Sequence, residues 1–137
     1  MDTLSRRERS ARMALVRGKD TKPEMRVRRL VHALGYRYRL HRRDLPGTPD
    51  LVFPSRKRII FVHGCFFHRH PNCSLARLPK SRRAFWVPKL NGNRERDARN
   101  TCGLRKLGWK VMIIWECQSR DMSRLTARVR RFLDAKR

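Results

Sequence analysis

Apolar residues recur at helical spacing from Val27: with Leu30, Val31 and Leu34 it forms one face. Thr21 and Glu24 have the spacing of a capping box, Pro23 suits a first turn, and Gly35 is placed to end the helix. The pattern then shifts to period two. Tyr36–Leu40 alternates as a strand does, the turn Leu45-Pro-Gly-Thr-Pro follows, and Asp50–Phe53 reads as a second short strand. Pro54–Lys57 turns the chain back into Arg58–His63, apolar enough to lie inside a sheet. Ala84–Leu90 predicts a short helix limited by Pro88, and Asn93 is placed to cap a weakly amphipathic helix running to about Leu107, with Gly108 as its stop. Trp109–Glu116 predicts a buried strand. Asp121–Ala135 predicts a helix with Leu125, Val129, Phe132 and Leu133 inward. Helix, three strands, helix, strand, helix predicts an α/β fold with a mixed sheet, since the first strands meet through tight turns.

A chain of 137 residues fits one domain, here residues 21–137, preceded by a basic arm or helix over residues 1–20. With 39% apolar residues the core is modest, and a bound metal would help to staple it. Charge changes the picture most. Thirty-six Lys and Arg against eleven Asp and Glu give a net +25, spread along the whole chain. Such a body repels itself unless a polyanion neutralises it, and phosphate backbones do so with release of counterions. No long apolar run and no basic amphipathic helix with an aromatic face supports a membrane instead. Met1–Ser10 is polar and has no signal-peptide core, so a cytoplasmic, nucleoid-associated protein is expected, with its four cysteines reduced.

Cys65 to Cys73 reads CFFHRHPNC, two thiols and two imidazoles within nine residues, and Cys117 follows the last predicted strand. A structural zinc takes four N or S ligands in a tetrahedron. Cys65, Cys73, Cys117 and one histidine would supply them, and spacing leaves His68 and His70 both open. The bland alternative is four unrelated thiols and a solvated histidine loop. Cys102 falls within a predicted helix and is expected to be a packed thiol.

Hydrolysis of a phosphodiester needs an activated water, positive charge at phosphorus and help for the leaving oxygen. One or two carboxylates holding Mg²⁺ serve much of this. Asp50 opens a strand beside the apolar Ile59–Val62 run and is a candidate ligand, although a turn-capping role is about as natural. Glu24 has an ordinary role in its capping box, Asp97 as a solvated helical residue among Arg94, Arg96 and Arg99, and Glu116 as a strand end. His63 and His68 bracket Gly-Cys-Phe-Phe, and either imidazole can act as a general base near neutrality; singly, each reads more simply as a hydrogen-bonded loop residue. Phe66, Phe67 and Trp86 lie in Arg-rich surroundings outside any core periodicity. They suit wedges between base steps, with core packing an even alternative for Phe66 and Trp86.

Taken together, Ser10–Met13 (SARM), Asp20–Glu24 (DTKPE), Leu45–Asp50 (LPGTPD), Ile60–His68 (IFVHGCFFH), Phe85–Trp86, Asn93–Asp97 (NRERD) and Gly108–Cys117 (GWKVMIIWEC) resemble the very-short-patch-repair (Vsr) mismatch endonucleases, in the family's order and spacing. The resemblance implies a fold like that of type II restriction endonucleases and, as substrate, duplex DNA with a T·G mismatch left by deamination of 5-methylcytosine. It implies nicking on the 5′ side of the wrong thymine. By position, Asp50 and the Val62 carbonyl would hold Mg²⁺. Glu24, His63 and Asp97 would orient waters on the metal, and His68 would activate the attacking water. His70 would then join Cys65, Cys73 and Cys117 on Zn²⁺. Phe66, Phe67 and Trp86 would wedge beside the mismatch, with Asn93 among the DNA-contacting residues. Val62 replaces a family threonine that uses only its backbone, Phe67 stands where tryptophan is frequent, and Pro71-Asn72 occupies the zinc loop. A monomer working with DNA-repair proteins is expected. Two readings compete: a non-catalytic, zinc-stabilised nucleic-acid binder, and a related nuclease with another DNA target.

Overall fold

A computed structural model describes residues 20–135. The basic arm over residues 1–20 and the Ser10–Met13 stretch therefore lie, Asp20 apart, outside the described residues. The elements are α1 (Lys22–Ala33), β1 (Arg39–Leu40), β2 (Leu51–Phe53), β3 (Arg58–His63), α2 (Arg83–Lys106), β4 (Lys110–Trp115) and α3 (Met122–Asp134). They build a mixed four-stranded sheet in the order β1-β2-β3-β4. The β1–β2 and β2–β3 pairs are antiparallel, and β3–β4 is parallel across α2, with His63 opposite Trp115.

The period-two alternation of the strands sorts side chains onto two faces. Leu51, Phe53, Ile60 and Ile114 pack with Val27 and Val31 of α1 and Leu125, Val129 and Leu133 of α3. Val52, Ile59, Phe61 and Trp109 pack on the other face with Leu104 of α2. His63, two residues beyond Phe61, takes the α2 face at the carboxyl end of the central strand, and Phe61 and His63 have ring centroids 5.5 Å apart. That parity delivers an imidazole to the site.

Helix α1 starts as its sequence predicts. Thr21 Oγ1 accepts from the Glu24 N–H at 3.3 Å, but the return bond goes from the Asp20 N–H to Glu24 Oε1 at 3.2 Å. Asp121 Oδ1 caps α3 by accepting from the Arg124 N–H at 3.2 Å. Gly35 and Gly108 both have φ +94°, the left-handed stop that follows a helix.

Three expectations are corrected. Tyr36–Leu40 pairs only over Arg39–Leu40, because β2 is three residues long and the tyrosines turn inward: the Tyr36 hydroxyl donates to Asp134 and the Tyr38 hydroxyl to the Arg28 carbonyl. The two predicted helices around Pro88 and Asn93 are one helix of 24 residues, with Pro88 inside it. Proline forfeits one backbone bond there, and the Trp86 ring of the first turn, which packs on Phe66 and Phe67 of the preceding loop, favours continuation. Asn93 is thus mid-helix and not a cap. Its side chain donates to the Phe67 carbonyl at 3.1 Å. Cys102, expected to be packed, is exposed, since α2 buries only Leu90 and Leu104.

Candidate nuclease site and zinc centre

A cleft of about 1220 Å³ opens at the carboxyl end of β3. Glu24 of α1, Asp50 before β2, Val62 and His63 of β3, His68 of the following loop and Asp97 of α2 all line it. Residues more than seventy positions apart thereby line one cleft. Asp50 and His68 are on the same side of the molecule.

Asp50 Oδ2 accepts from the Val62 N–H at 2.7 Å, which locks the carboxylate against the central strand. Burial nevertheless pushes the Asp50 carboxyl up to about 7, with the Glu24 carboxylate reinforcing the shift and the Val62 bond opposing it. Two facing carboxylates in a poorly solvated pocket can share a proton or hold a cation. Glu24 is almost fully buried and receives Asp20 N–H, Arg28 and His41 Nε2, the last at 2.8 Å.

His68 Nδ1 lies 2.5 Å from Asp97 Oδ2. The His63 ring stacks on the His68 ring with centroids 3.9 Å apart and planes 7° apart. Burial lowers the His63 imidazole to about 3 and the neighbouring His68 adds to the shift, so His63 is neutral at working pH. Its Nδ1 is the one buried side-chain N or O atom without a hydrogen-bond partner among the described residues. A buried, unpartnered ring nitrogen on a cleft wall is a place for water or a ligand.

Cys65, His70, Cys73 and Cys117 form a second cluster, with ligand atoms all within 4.8 Å of one another. His70 Nδ1 lies 3.6 Å from Cys65 Sγ and 3.5 Å from Cys117 Sγ. A tetrahedral zinc with its usual bond lengths has S···N edges of about 3.5 Å, so the four donors fit. Burial pushes the Cys65 thiol up to about 12, and a cation at the centre would reverse that sign. His68 is absent from this cluster and belongs to the cleft. Trp115 joins the two sites: its ring stacks on His70 at 4.2 Å and meets His63 edge-on at 5.3 Å.

Phe66, Phe67 and Trp86 come together, Phe66 lying 5.0 Å from Phe67 and 5.2 Å from Trp86 between centroids. They are partly buried, not core. Phe85 extends the group, 44% exposed and under the Arg82 guanidinium. Sequence reading missed Phe85, His41 and Trp115 as parts of these sites. Phe85 and Trp115 stand inside the matching stretches, so their neighbours were the available signal. Nothing in the sequence pointed to His41.

Carboxylates, imidazoles and a cysteine-rich centre in one strongly basic α/β body define a class: an enzyme that cuts nucleic-acid phosphodiesters. Residues 1–75 match the family described as DNA mismatch endonuclease Vsr. The chain is 52% identical over 97% of its length, and 97% of the relative's, to the type II nicking enzyme V.XorIIP of Xanthomonas oryzae pv. oryzae. It is 39% identical to the DNA mismatch endonuclease Vsr of Escherichia coli, over 91% of this chain and 80% of that one. It is 38% identical to the type II nicking enzyme V.NmeAIP of Neisseria meningitidis, with 98% of each chain covered. The chain belongs to the Vsr DNA mismatch endonuclease family and is a DNA endonuclease. Among the described residues, no helix is long and apolar enough to cross a membrane.

Proposed function

We propose that the enzyme nicks one strand of duplex DNA on the 5′ side of the thymine in a T·G mismatch, within a restriction-endonuclease-like fold. The observation that carries this reading is the convergence of Glu24, Asp50, Val62, His63, His68 and Asp97 on one cleft. Asp50 and the Val62 carbonyl would hold Mg²⁺. Bound there, the ion supplies positive charge for the phosphoryl oxygens and makes a nearby water more acidic.

The remaining work falls to side chains. Asp97 accepts the Nδ1 proton of His68 and so leaves Nε2 as the base. His68 Nε2 takes the proton of the attacking water, and the Asp97 carboxylate stabilises the resulting imidazolium. Neutral His63 holds the His68 plane by stacking, and its free Nδ1 binds a further water. Glu24, lining the same cleft, orients a further water. Cys65, His70, Cys73 and Cys117 would hold zinc, and so tied together they would fix the loop that carries Phe66, Phe67 and His68. Phe66, Phe67 and Trp86 enter beside the mismatched pair and kink the duplex, with Asn93 holding the Phe67 backbone beneath them.

A cleavage screen over all mismatches and their matched controls, with and without Mg²⁺, tests this. The expected result is a single nick in T·G duplexes with Mg²⁺ and little action on T·A. Equal cutting of matched duplex would favour the reading with another DNA target, and binding without any cutting the non-catalytic one.

A further inference from the structure

The Glu24 carboxylate is held by donors of two origins. The Asp20 N–H lies 3.2 Å from Oε1 and the Arg28 guanidinium 3.5 Å from Oε2, and both belong to α1 or its immediate approach. His41 is different. It follows β1 in the segment leading to Asp50, and its Nε2 lies 2.8 Å from Glu24 Oε2. Its own N–H donates to the Asp50 carbonyl at 3.2 Å. One residue thus touches Glu24 through its side chain and Asp50 through its backbone.

His41 also sits at φ +48°, a left-handed conformation that costs a residue with a Cβ about 1–2 kcal/mol. Strain of this kind persists where surroundings over-determine it, often at functional sites. Its side chain is 18% exposed and lines the cleft. Helix α1 can fix Glu24 against itself, but registering that carboxylate against Asp50 needs a link between α1 and the β1–β2 segment. Beside the direct Asp50–Glu24 side-chain contact, His41 is the one donor described to Glu24 that makes it.

We propose that His41 is a positioning residue of the nuclease: through the Glu24 Oε2 contact it sets the Glu24 carboxylate against Asp50 for cation binding. The proposal rests on the assignment of Asp50 and Glu24 to the metal site.

The test uses zinc-loaded full-length His41→Ala and His41→Gln, with Asp50→Ala in parallel. Mn²⁺ binding is measured by calorimetry without DNA, alongside kcat, KM and melting temperature. Supporting partners of metal sites typically cost 10–100-fold on removal, so about that loss is expected in Mn²⁺ affinity and kcat for His41→Ala, with KM unchanged. His41→Gln, whose amide can donate from the Nε2 position, is expected to recover most of both. His41→Ala that binds Mn²⁺ and turns over like wild type overturns the proposal. So does a His41→Gln variant that melts like wild type yet shows the full alanine loss, a comparison that stands even if the alanine variant misfolds. Asp50→Ala with intact Mn²⁺ binding and cleavage would instead sink the metal-site assignment itself.

Discussion

His68 on the cysteine-rich loop and Asp97 on α2 meet at 2.5 Å, so the position of the cleft's central imidazole is set jointly by the loop and by the helix that follows it. General-base catalysis is worth roughly 10²–10⁴-fold, so His68→Ala should lower the single-turnover nicking rate by about that factor while leaving duplex affinity nearly unchanged. Asp97→Asn keeps the shape but loses the charge, and a drop of about 10–100-fold is expected. Rapid-quench kinetics at saturating enzyme would measure both.

The cysteine-rich centre should hold the fold as well as the loop. Cys117 links the end of β4 to the loop carrying Cys65, His70 and Cys73, and removing one ligand of a structural zinc forfeits several kcal/mol of binding energy. Cys117→Ser is expected to lose zinc and to melt more than about 10 °C lower. Elemental analysis together with calorimetric melting decides it, and a zinc-free, fully stable variant would refute the centre.

Asp50 predicts a pH dependence whose sign is opposite to that of an ordinary carboxylate. Its native carboxyl is raised from 3.8 to about 7, so between those values the folded Mg²⁺-free protein binds more protons than the unfolded chain. The contribution of Asp50 to stability is therefore fully present below about pH 4 and is lost as pH rises through 7, by a few kcal/mol at most. Comparing urea melts of the wild type and Asp50→Asn at each pH isolates it. The difference between them should shift steadily in favour of Asn up to about pH 7 and then level off. Added Mg²⁺ should restore the wild type above pH 7.

Arg58 is 2% exposed and donates to the carbonyls of Phe132 at 3.2 Å, Ala135 at 3.1 Å and Arg56 at 3.0 Å. It thereby satisfies the carboxyl end of α3, whose last carbonyls lack helical donors. Arg58→Ala leaves those acceptors unpaired and opens a cavity. A loss of about 2–4 kcal/mol in urea unfolding is expected, with nicking retained at low temperature.

Strands β2, β3 and β4 and helix α3 were legible because period-two and helical spacing are local signals, and both buried faces follow them, whereas the alternation over Tyr36–Leu40 overstated β1. Helix α2 was not, because its burial is carried by Leu90 and Leu104 alone and Pro88 argues against a helix that ring packing sustains. Spacing raised the zinc donors but could not choose between His68 and His70. The geometry separates them, since His70 faces two sulfurs and His68 faces Asp97. Of the acidic residues of the cleft, Asp50 was raised by its place at a strand start beside an apolar strand, whereas Glu24 and Asp97 were visible only through family resemblance, as each had an adequate local role. His41 stayed hidden because its link to Glu24 is tertiary and its backbone is atypical for histidine.

The most direct test of the account compares wild type, Asp50→Ala and His68→Ala on one T·G duplex labelled on each strand, following binding and nicking together in Mg²⁺. The account predicts that all three bind within a few-fold of each other and that only the wild type nicks, on the thymine strand. Nicking by Asp50→Ala or His68→Ala at the wild-type rate would contradict it.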